Sequence, residues 1–341
     1  MSDKATVLVT GGSGFIGGWC VVGLLQQGYS VRTTVRDLSR ESAVRAALAK
    51  AVDAQDRLSF YAANLTSDAG WDAATSGCEY VLHVASPLGV PAPKNPDELI
   101  IPARDGAKRA VNAAIRAGVK RVVMTSSVAA TSGSPNGPDS VKDETTWTDI
   151  TDPTVSAYAR SKTIAERAAW DLIASSGGGT TLATVNPSLV LAPVLGRDFS
   201  DSVQVIQRLM TGKVPGLPRL GFNIVDARDV ADLHIRAMTA PEAAGQRFIA
   251  SGKFEWMADI AALLRAKLGA DAAKVPTRKV PDFVLRLASI FDKDLRFVTP
   301  GLGRKHDHTS AKAQTLLGWR PRSTEETVLD CARSLVKEGL V

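Results

Sequence analysis

Short apolar runs alternate with longer amphipathic segments along the first half of the chain. The runs are rich in Val, Leu and Thr and carry few charges, which is typical of strands buried on both faces of a parallel sheet. They predict strands at Ala5–Thr10, Ser30–Val35, Arg57–Ala62, Tyr80–Ala85, Arg121–Thr125 and Thr181–Val185. The segments between them predict helices at Phe15–Gln27, Arg40–Val52, Ile101–Ala117 and Ala157–Ala174. This alternation indicates an α/β protein with a doubly wound parallel sheet.

The regular alternation weakens after Pro187, where prolines and glycines become frequent, and a strand-like segment returns at Arg247–Ala250. We therefore expect two domains. The nucleotide-binding core would comprise residues 1–188 plus 223–250, and a smaller C-terminal substrate-binding cap would comprise 189–222 plus 251–341.

Composition narrows the class of protein. The chain has 341 residues, of which 45% are hydrophobic and 22% charged, as in globular rather than disordered proteins. The three cysteines are scattered and do not suggest a disulfide framework or a zinc site, so we expect no metal and a reducing compartment. The net charge of +6 comes without a basic run, so nucleic acid is not an expected partner. The most apolar long stretch is broken by prolines, and the N-terminus lacks a long apolar segment. These features favour a cytoplasmic protein without a membrane partner, either monomeric or homodimeric.

A glycine-rich turn follows the first predicted strand. Gly11, Gly14 and Gly17 are spaced G-x-x-G-x-x-G, and Phe15 and Ile16 begin the predicted helix. Glycines at these positions allow a tight turn, close approach of a pyrophosphate and close packing of the helix. The helix N-terminus then offers N–H groups and a partial positive charge to the phosphates. The strand–turn–helix context predicts a Rossmann-type dinucleotide site at these five residues.

The end of the second strand bears on the choice of dinucleotide. Arg36 stands where an acidic residue would hold the ribose 2′-hydroxyl of NAD, and an arginine there pairs with a 2′-phosphate. Charge-assisted hydrogen bonds contribute about 1.5–3 kcal/mol, which is roughly a 10- to 100-fold preference for NADP(H). Asp37 is the alternative, because it could take the ribose instead. Arg40 or Arg45 could supply a second phosphate contact.

Tyr158 and Lys162 lie one turn apart on the helix predicted over Ala157–Ala174. A neighbouring ammonium stabilises a phenolate, so we expect Lys162 to lower the pKa of Tyr158 toward the range useful for a general acid. Ser127, just after the fifth strand, could hold a substrate oxygen beside the phenol.

The segments TGGSGFIGGW, VRTTVRD, VLHVASP, RVVMTSS, YARSK and TVNPSLVLAP together resemble the extended short-chain dehydrogenase/reductase superfamily, and within it the dihydroflavonol 4-reductase group with its microbial aldehyde and ketone reductase relatives. The resemblance implies NADP(H)-dependent carbonyl reduction, reversible to alcohol oxidation, by a Ser127–Tyr158–Lys162 triad. It also implies that Tyr158 and Lys162 contact the cofactor, with Lys162 hydrogen bonded to the nicotinamide ribose. Further cofactor-binding positions that it implies are Asn64, Leu65, Ala85, Thr125, Pro187, Ser188 and Leu189.

Departures from related patterns bear on the alternatives. The stretch TVSAY before the helix lacks the aromatic and Cys-rich motif of cinnamoyl-CoA reductases, which disfavours a CoA thioester substrate. The tripeptide SSV after the fifth strand does not match the sugar-nucleotide dehydratases. An NAD(P)-dependent sugar-nucleotide epimerase or a 3β-hydroxysteroid-type dehydrogenase stays open, as does a non-catalytic NADP-binding regulator. Retention of both Tyr158 and Lys162 argues against the regulator.

Several other side chains attract attention. We expect Asp229 to cap a helix and His83 to be a satisfied core histidine. Aromatic candidates for an apolar pocket are Trp147, Phe199, Phe222, Phe283 and Phe291.

Overall fold

The computed structural model describes residues 4–87, 95–135, 137, 139–196, 199–291 and 299–341. The described strands are β1 (Thr6–Thr10), β2 (Ser30–Val35), β3 (Leu58–Ala62), β4 (Tyr80–His83), β5 (Arg121–Thr125), β6 (Val141–Lys142), β7 (Thr181–Pro187), β8 (Leu189–Leu191), β9 (Gly221–Asp226), β10 (Gln246–Ala250), β11 (Phe254–Trp256) and β12 (Asp307–His308). The described α-helices are α1 (Phe15–Gln26), α2 (Glu41–Leu48), α3 (Trp71–Thr75), α4 (Asp97–Arg116), α5 (Ala157–Ser175), α6 (Asp201–Met210), α7 (Ala227–Thr239), α8 (Met257–Leu268), α9 (Asp282–Ala288), α10 (Ala311–Leu317) and α11 (Thr324–Lys337).

A parallel seven-stranded sheet forms the centre of the molecule, in the order β10-β7-β5-β4-β1-β2-β3. The strand order reverses between β1 and β4. In open α/β sheets a ligand binds in the crevice at such a reversal, outside the carboxyl ends of the strands. The predicted Rossmann-type fold class is confirmed.

Alternate side chains of each strand pack into two hydrophobic layers, one on each face of the sheet. In β1, Val7 and Val9 join the layer formed with α1 and α7, whereas Leu8 points to the layer formed with α4 and α5. All three are fully buried. This burial on both faces explains why the strands read as continuous apolar runs rather than as alternating ones.

A smaller sheet, in the order β11-β9-β8, packs with α6, α8 and α11 around a separate hydrophobic cluster. β8 runs parallel to β9, and β11 runs antiparallel to it. Strand β9 spans the predicted boundary between residues 222 and 223, and the two-domain division stays a prediction. None of the described helices is both long and apolar enough to cross a bilayer.

Three helices differ from the sequence expectation. Helix α2 ends at Leu48, four residues before the predicted end at Val52. Helix α4 begins at Asp97, four residues before the predicted start at Ile101, so Pro102 lies beyond its first turn. Helix α7 is capped by Asp226, whose carboxylate accepts a hydrogen bond from the Arg228 N–H at 2.9 Å. The prediction that Asp229 is the cap is therefore wrong.

Asp229 nevertheless has a structural role. It lies in the first turn of α7, where its carboxylate accepts hydrogen bonds from the backbone N–H and the guanidinium of Arg322, just before α11. The pair joins two elements distant in sequence, and burial raises the pKa of Asp229 to about 6.

Candidate active site

The glycine turn lies between β1 and α1, beside the strand-order reversal. Gly11 adopts a φ of 70°, which favours glycine. The N–H groups of Gly11 and Gly12 donate to the hydroxyls of Thr34 and Thr33, each at 3.0 Å, so strand β2 holds the turn in place. Gly14 is the N-cap of α1 and makes no side-chain capping hydrogen bond. The start of the helix therefore presents backbone N–H groups that no capping side chain covers.

Gly14 and Gly17 are glycines for different reasons, which the space around each of them shows. A Cβ at Gly17 would lie 2.2 Å from the carbonyl oxygen of Gly11, a backbone atom that cannot rotate away. A Cβ at Gly14 would meet only that same oxygen, at 3.2 Å, and would otherwise fill open space before the helix. Gly17 is thus required for the turn itself, and Gly14 leaves a cradle of the kind that a phosphate group occupies.

The end of β2 carries the predicted 2′-phosphate contact. Arg36 follows the last strand residue directly and is exposed. The Asp37 carboxylate accepts a hydrogen bond from the Ser39 N–H at 2.8 Å, and this bond holds its pKa below the usual range. Arg45 pairs with Glu41 at 2.8 Å. Asp37 therefore caps the turn that follows β2, and Arg45 is paired with a residue of its own helix. Arg36 lies nearest the end of the strand.

The other predicted cofactor positions lie at or just beyond carboxyl strand ends. Ala85 follows β4, and its N–H donates to the Thr10 hydroxyl at 3.0 Å. The exposed Asn64 and half-buried Leu65 follow β3. The segment from Pro187 to Leu189 links β7 to β8.

Two polar side chains in this region behave differently. The hydroxyl of Ser188 is buried without a hydrogen-bond partner, so a polar group of a bound ligand would satisfy it. The Thr125 hydroxyl, by contrast, lies 2.7 Å from Nε2 of His234. Nδ1 of His234 lies 2.7 Å from the Val230 carbonyl and must donate to it, so Nε2 accepts from Thr125. Burial lowers the pKa of this histidine to about 4, consistent with the neutral ring.

The three predicted catalytic side chains come together at the carboxyl end of β5 and the start of α5. Ser127 is the N-cap of a 3-10 turn, with its hydroxyl accepting from the Ala129 N–H at 3.1 Å, and it is hydrogen bonded to the Tyr158 phenol. The Lys162 ammonium lies 5.9 Å from the centre of the Tyr158 ring and donates to the Ser86 hydroxyl at 3.0 Å. The fold thus brings the three side chains together in one compact cluster, called here the Ser–Tyr–Lys cluster.

The electrostatics of this cluster differ from the expectation. Burial raises the pKa of Tyr158 above its usual value, and the Ser127 hydrogen bond offsets this only in part. The expected lowering by Lys162 is not observed, because desolvation dominates and the ammonium points to Ser86. Burial in turn lowers the pKa of Lys162 to about 8, against an opposing contribution from the Glu166 carboxylate. Tyr158 is therefore held in its protonated form, as a proton donor requires.

The remaining singled-out side chains are mostly structural. His83 is buried and bonds to the Thr10 hydroxyl at 2.9 Å, as expected of a satisfied core histidine. Trp147 stacks on the Arg247 guanidinium at 3.7 Å. Phe199 and Phe222 pack against the cluster of the smaller sheet, and Phe283 and Phe291 are 71% and 86% exposed.

Glu166 and Arg247 form a buried ion pair behind the triad, and neither residue was predicted as functional from the sequence. Glu166 follows Lys162 by four residues, as Lys162 follows Tyr158, so all three share one helix face. That spacing was the available signal for Glu166, whereas nothing local marked Arg247.

A glycine cradle at a switch point, together with a Ser–Tyr–Lys cluster at the same sheet edge, defines a nicotinamide-dependent oxidoreductase of the short-chain type. The model of the NAD dependent epimerase/dehydratase family matches residues 7–250, and the chain belongs to that family.

Known relatives agree with this class. The chain is 32% identical to cinnamoyl-CoA reductase 1 of Arabidopsis thaliana over 98% of its own length and 90% of the relative. It is 36% identical to dihydroflavonol 4-reductase of Zea mays, over 77% of this chain and 74% of the relative. Among solved structures, yeast methylglyoxal/isovaleraldehyde reductase Gre2 complexed with NADPH matches with a TM-score of 0.80 and 25% identity, covering 98% of this chain and all of that one. The predicted resemblance, the oxidoreductase class and the NADP(H) cofactor are confirmed.

Proposed function

We propose that this protein is an NADPH-dependent carbonyl reductase that converts an aldehyde or ketone to the corresponding alcohol, reversibly, with Tyr158 as the general acid. The observation that carries the proposal is the Ser127–Tyr158–Lys162 cluster at the same sheet edge as the glycine cradle. The net reaction consumes one carbonyl compound, one NADPH and one proton, and releases one alcohol and one NADP⁺.

Each side chain has one task in this scheme. When bound, NADPH supplies the hydride that reaches the carbonyl carbon. The Ser127 hydroxyl holds the carbonyl oxygen beside Tyr158, whose phenol donates its proton to that oxygen as negative charge develops there. The Lys162 ammonium, 5.9 Å from the phenol ring, stabilises the phenolate left behind.

The cofactor would be held by the groups already described. The N–H groups at the start of α1 would bind the pyrophosphate, Gly14 would leave room for it, and Arg36 would pair with the 2′-phosphate. The unpartnered Ser188 hydroxyl would meet a polar group of the nicotinamide portion. Residues 189–222 and 251–341 would supply the substrate-binding cap.

A free aldehyde or ketone is the favoured substrate class over a CoA thioester. The stretch before Tyr158 lacks the aromatic and Cys-rich motif named above. The curated relatives include both a cinnamoyl-CoA reductase and dihydroflavonol 4-reductases, so the family itself leaves both substrate types open. An epimerase is the second candidate, because the matched family includes epimerases by name.

The test is steady-state oxidation of NADPH, with NADH in parallel, against aryl aldehydes, α-diketones and bulky ketones. We expect turnover with NADPH and its loss by at least 100-fold in Tyr158→Phe, since the phenol proton is then absent. Tyr29→Phe is the matched control, because that phenol lies beside Lys4 and outside the cluster. Tight NADPH binding without turnover of any carbonyl compound would refute the proposal, and retained cofactor with sugar-nucleotide isomerisation would establish the epimerase.

A further inference from the structure

A carboxylate lies buried directly behind the Ser–Tyr–Lys cluster. The Glu166 side chain has no exposed surface. Five side chains donate hydrogen bonds to it at 2.6–3.4 Å, namely Ser126, Trp170, Thr184, Asn186 and Arg247. A carboxylate has about four lone-pair sites, so its acceptor capacity is fully used.

Arg247 completes the pair from β10. Its Nε donates to Glu166 at 2.7 Å, and its Nη1 donates to the backbone carbonyls of Glu144 and Thr146 at 2.6 and 3.0 Å. The face of its guanidinium stacks on Trp147. One side chain therefore ties the segment that follows β6 to α5, the helix that carries Tyr158 and Lys162.

The pair also reaches the third catalytic group. Asn186 Nδ2 donates both to Glu166 at 2.9 Å and to the backbone carbonyl of Ser127 at 3.2 Å. Ser126, the neighbour of Ser127, donates to Oε2 of Glu166 at 2.6 Å, the same oxygen that accepts from Asn186. Glu166 therefore touches the strand end that carries the serine while sharing a helix with the tyrosine and the lysine.

Buried ion pairs are weak evidence for stability, since apolar residues of similar volume often serve as well. Their best-supported use is to specify one arrangement among several similar packings. Here the arrangement in question is the register of α5 against the end of β5, which is where the two halves of the triad meet.

We propose that Glu166 and Arg247 are positioning residues that hold Tyr158 and Lys162 on α5 in register with Ser127. The inference rests on the proposed function, because it assigns these residues to the geometry of proton delivery. Neither residue touches the reacting atoms in this scheme. Glu166 also faces Lys162 one turn away on the same helix, and the other groups near that ammonium are Tyr158, Ser86 and His83.

The first experiment compares Glu166→Gln with the wild-type enzyme. The amide presents an N–H₂ to a site filled with donors, so the network must rearrange. We expect kcat to fall 10- to 100-fold while KM for NADPH stays within about twofold, because the glycine cradle is untouched. Ser126→Ala removes one donor only and gives a milder variant, for which we expect a three- to tenfold fall in kcat.

A control variant separates an effect on the position of the catalytic side chains from a general loss of stability. Asp229→Asn weakens another ion pair, Asp229–Arg322, in which the carboxylate is buried and the guanidinium half-buried, and which lies outside the triad. We expect this variant to lower Tm by a similar amount and to leave kcat within twofold of wild type. An equal fall in kcat for Asp229→Asn and Glu166→Gln would overturn the proposal, since loss of stability alone would then explain both.

A second readout does not depend on finding the substrate. The Cε chemical shift of Lys162 in protein labelled with ¹³C-lysine, assigned with Lys162→Arg, reports its titration. We expect Glu166→Gln to move that titration to lower pH by at least half a unit, because a facing negative charge is lost and Arg247 is left uncompensated. An unmoved titration with an unchanged kcat refutes the positioning role. If the wild-type protein reduces no carbonyl compound, the proposed function fails. The Lys162 titration then decides the positioning role by itself: an unchanged titration in Glu166→Gln refutes that role, and a shifted titration supports it.

Discussion

Gly17 offers the sharpest test of the cofactor site, because substitution there acts on backbone and not on a flexible side chain. A Cβ at Gly17 would lie 2.2 Å from the Gly11 carbonyl oxygen and 2.9 Å from its carbonyl carbon. Ordinary contact begins near 3.4 Å, so Gly17→Ala must push the turn and α1 apart by about 1 Å. Hydrogen bonds of about 2.9 Å to a phosphate do not survive such a displacement.

The expected magnitude follows from the cost of overpacking. Forced insertion of a methyl group costs about 1–3 kcal/mol, and each 1.4 kcal/mol changes an equilibrium constant tenfold. If the strain is relieved by moving the turn, NADPH affinity falls by roughly 5- to 150-fold. If the turn stays in place, the same cost appears as a lower free energy of unfolding.

The assay is a titration of NADPH fluorescence, with Tm measured with and without the cofactor. Gly18→Ala is the matched control, because its Cβ would lie 3.3 Å from the flexible end of Leu195 and at ordinary contact distances of 3.6 and 3.7 Å from its other neighbours, Gly12 and Leu48. We expect Gly18→Ala to bind NADPH within about threefold of wild type. If Gly17→Ala leaves both the Kd for NADPH and the Tm unchanged, the reasoning is refuted, because the strain would then have weakened neither cofactor binding nor the folded state.

Three further outcomes follow from the structure. Arg36→Ser should raise the Kd for NADPH by roughly 10- to 100-fold, measured by titration, while leaving that for NADH within twofold, since only the 2′-phosphate contact is lost; equal losses for both would contradict this assignment. Burial lowers the pKa of Lys162 to about 8 in the folded protein, against an ordinary value of 10.5. Between these two pH values the unfolded chain binds more protons at this group than the folded chain does. The contribution of Lys162 to the free energy of unfolding therefore rises with pH across that window. The buried thiols, whose pKa values are raised, act in the opposite sense, so the measured quantity is the free energy of unfolding of wild type minus that of Lys162→Met. This difference should increase with pH across the window, and kcat should fall above pH 8 as the ammonium is lost. Finally, Cys20, Cys78 and Cys331 are buried free thiols whose pKa values burial raises, so Ellman's reagent should react with them only after unfolding; rapid reaction in the native state would contradict their burial.

Local patterns were sufficient for the framework of the molecule. Strands buried on both faces need continuous apolar runs, so the main sheet strands were visible in the sequence within a few residues. The glycine turn was equally visible, because positive φ at Gly11 and close packing at Gly17 admit little else. The Tyr158–Lys162 pair followed from the repeat of the α-helix alone.

Long-range packing decided what those patterns left open. Burial, and not the nearby Lys162, sets the direction of the Tyr158 pKa, and burial is a property of the folded chain. Helix α7 is capped by Asp226 while Asp229 reaches Arg322, a choice that depends on where a distant segment passes. A single sequence carries no signal for such contacts.

The ion pair behind the triad shows the division most clearly. Glu166 shares the helical spacing of Tyr158 and Lys162, so its face was determined by the sequence. Its partner Arg247 lies 81 residues away on an edge strand of the sheet, and only the parallel pairing of β7 with β10 brings the two together. Local sequence determines which side chains share a face, whereas the fold determines which distant charge that face meets, because that contact exists only when the sheet is complete.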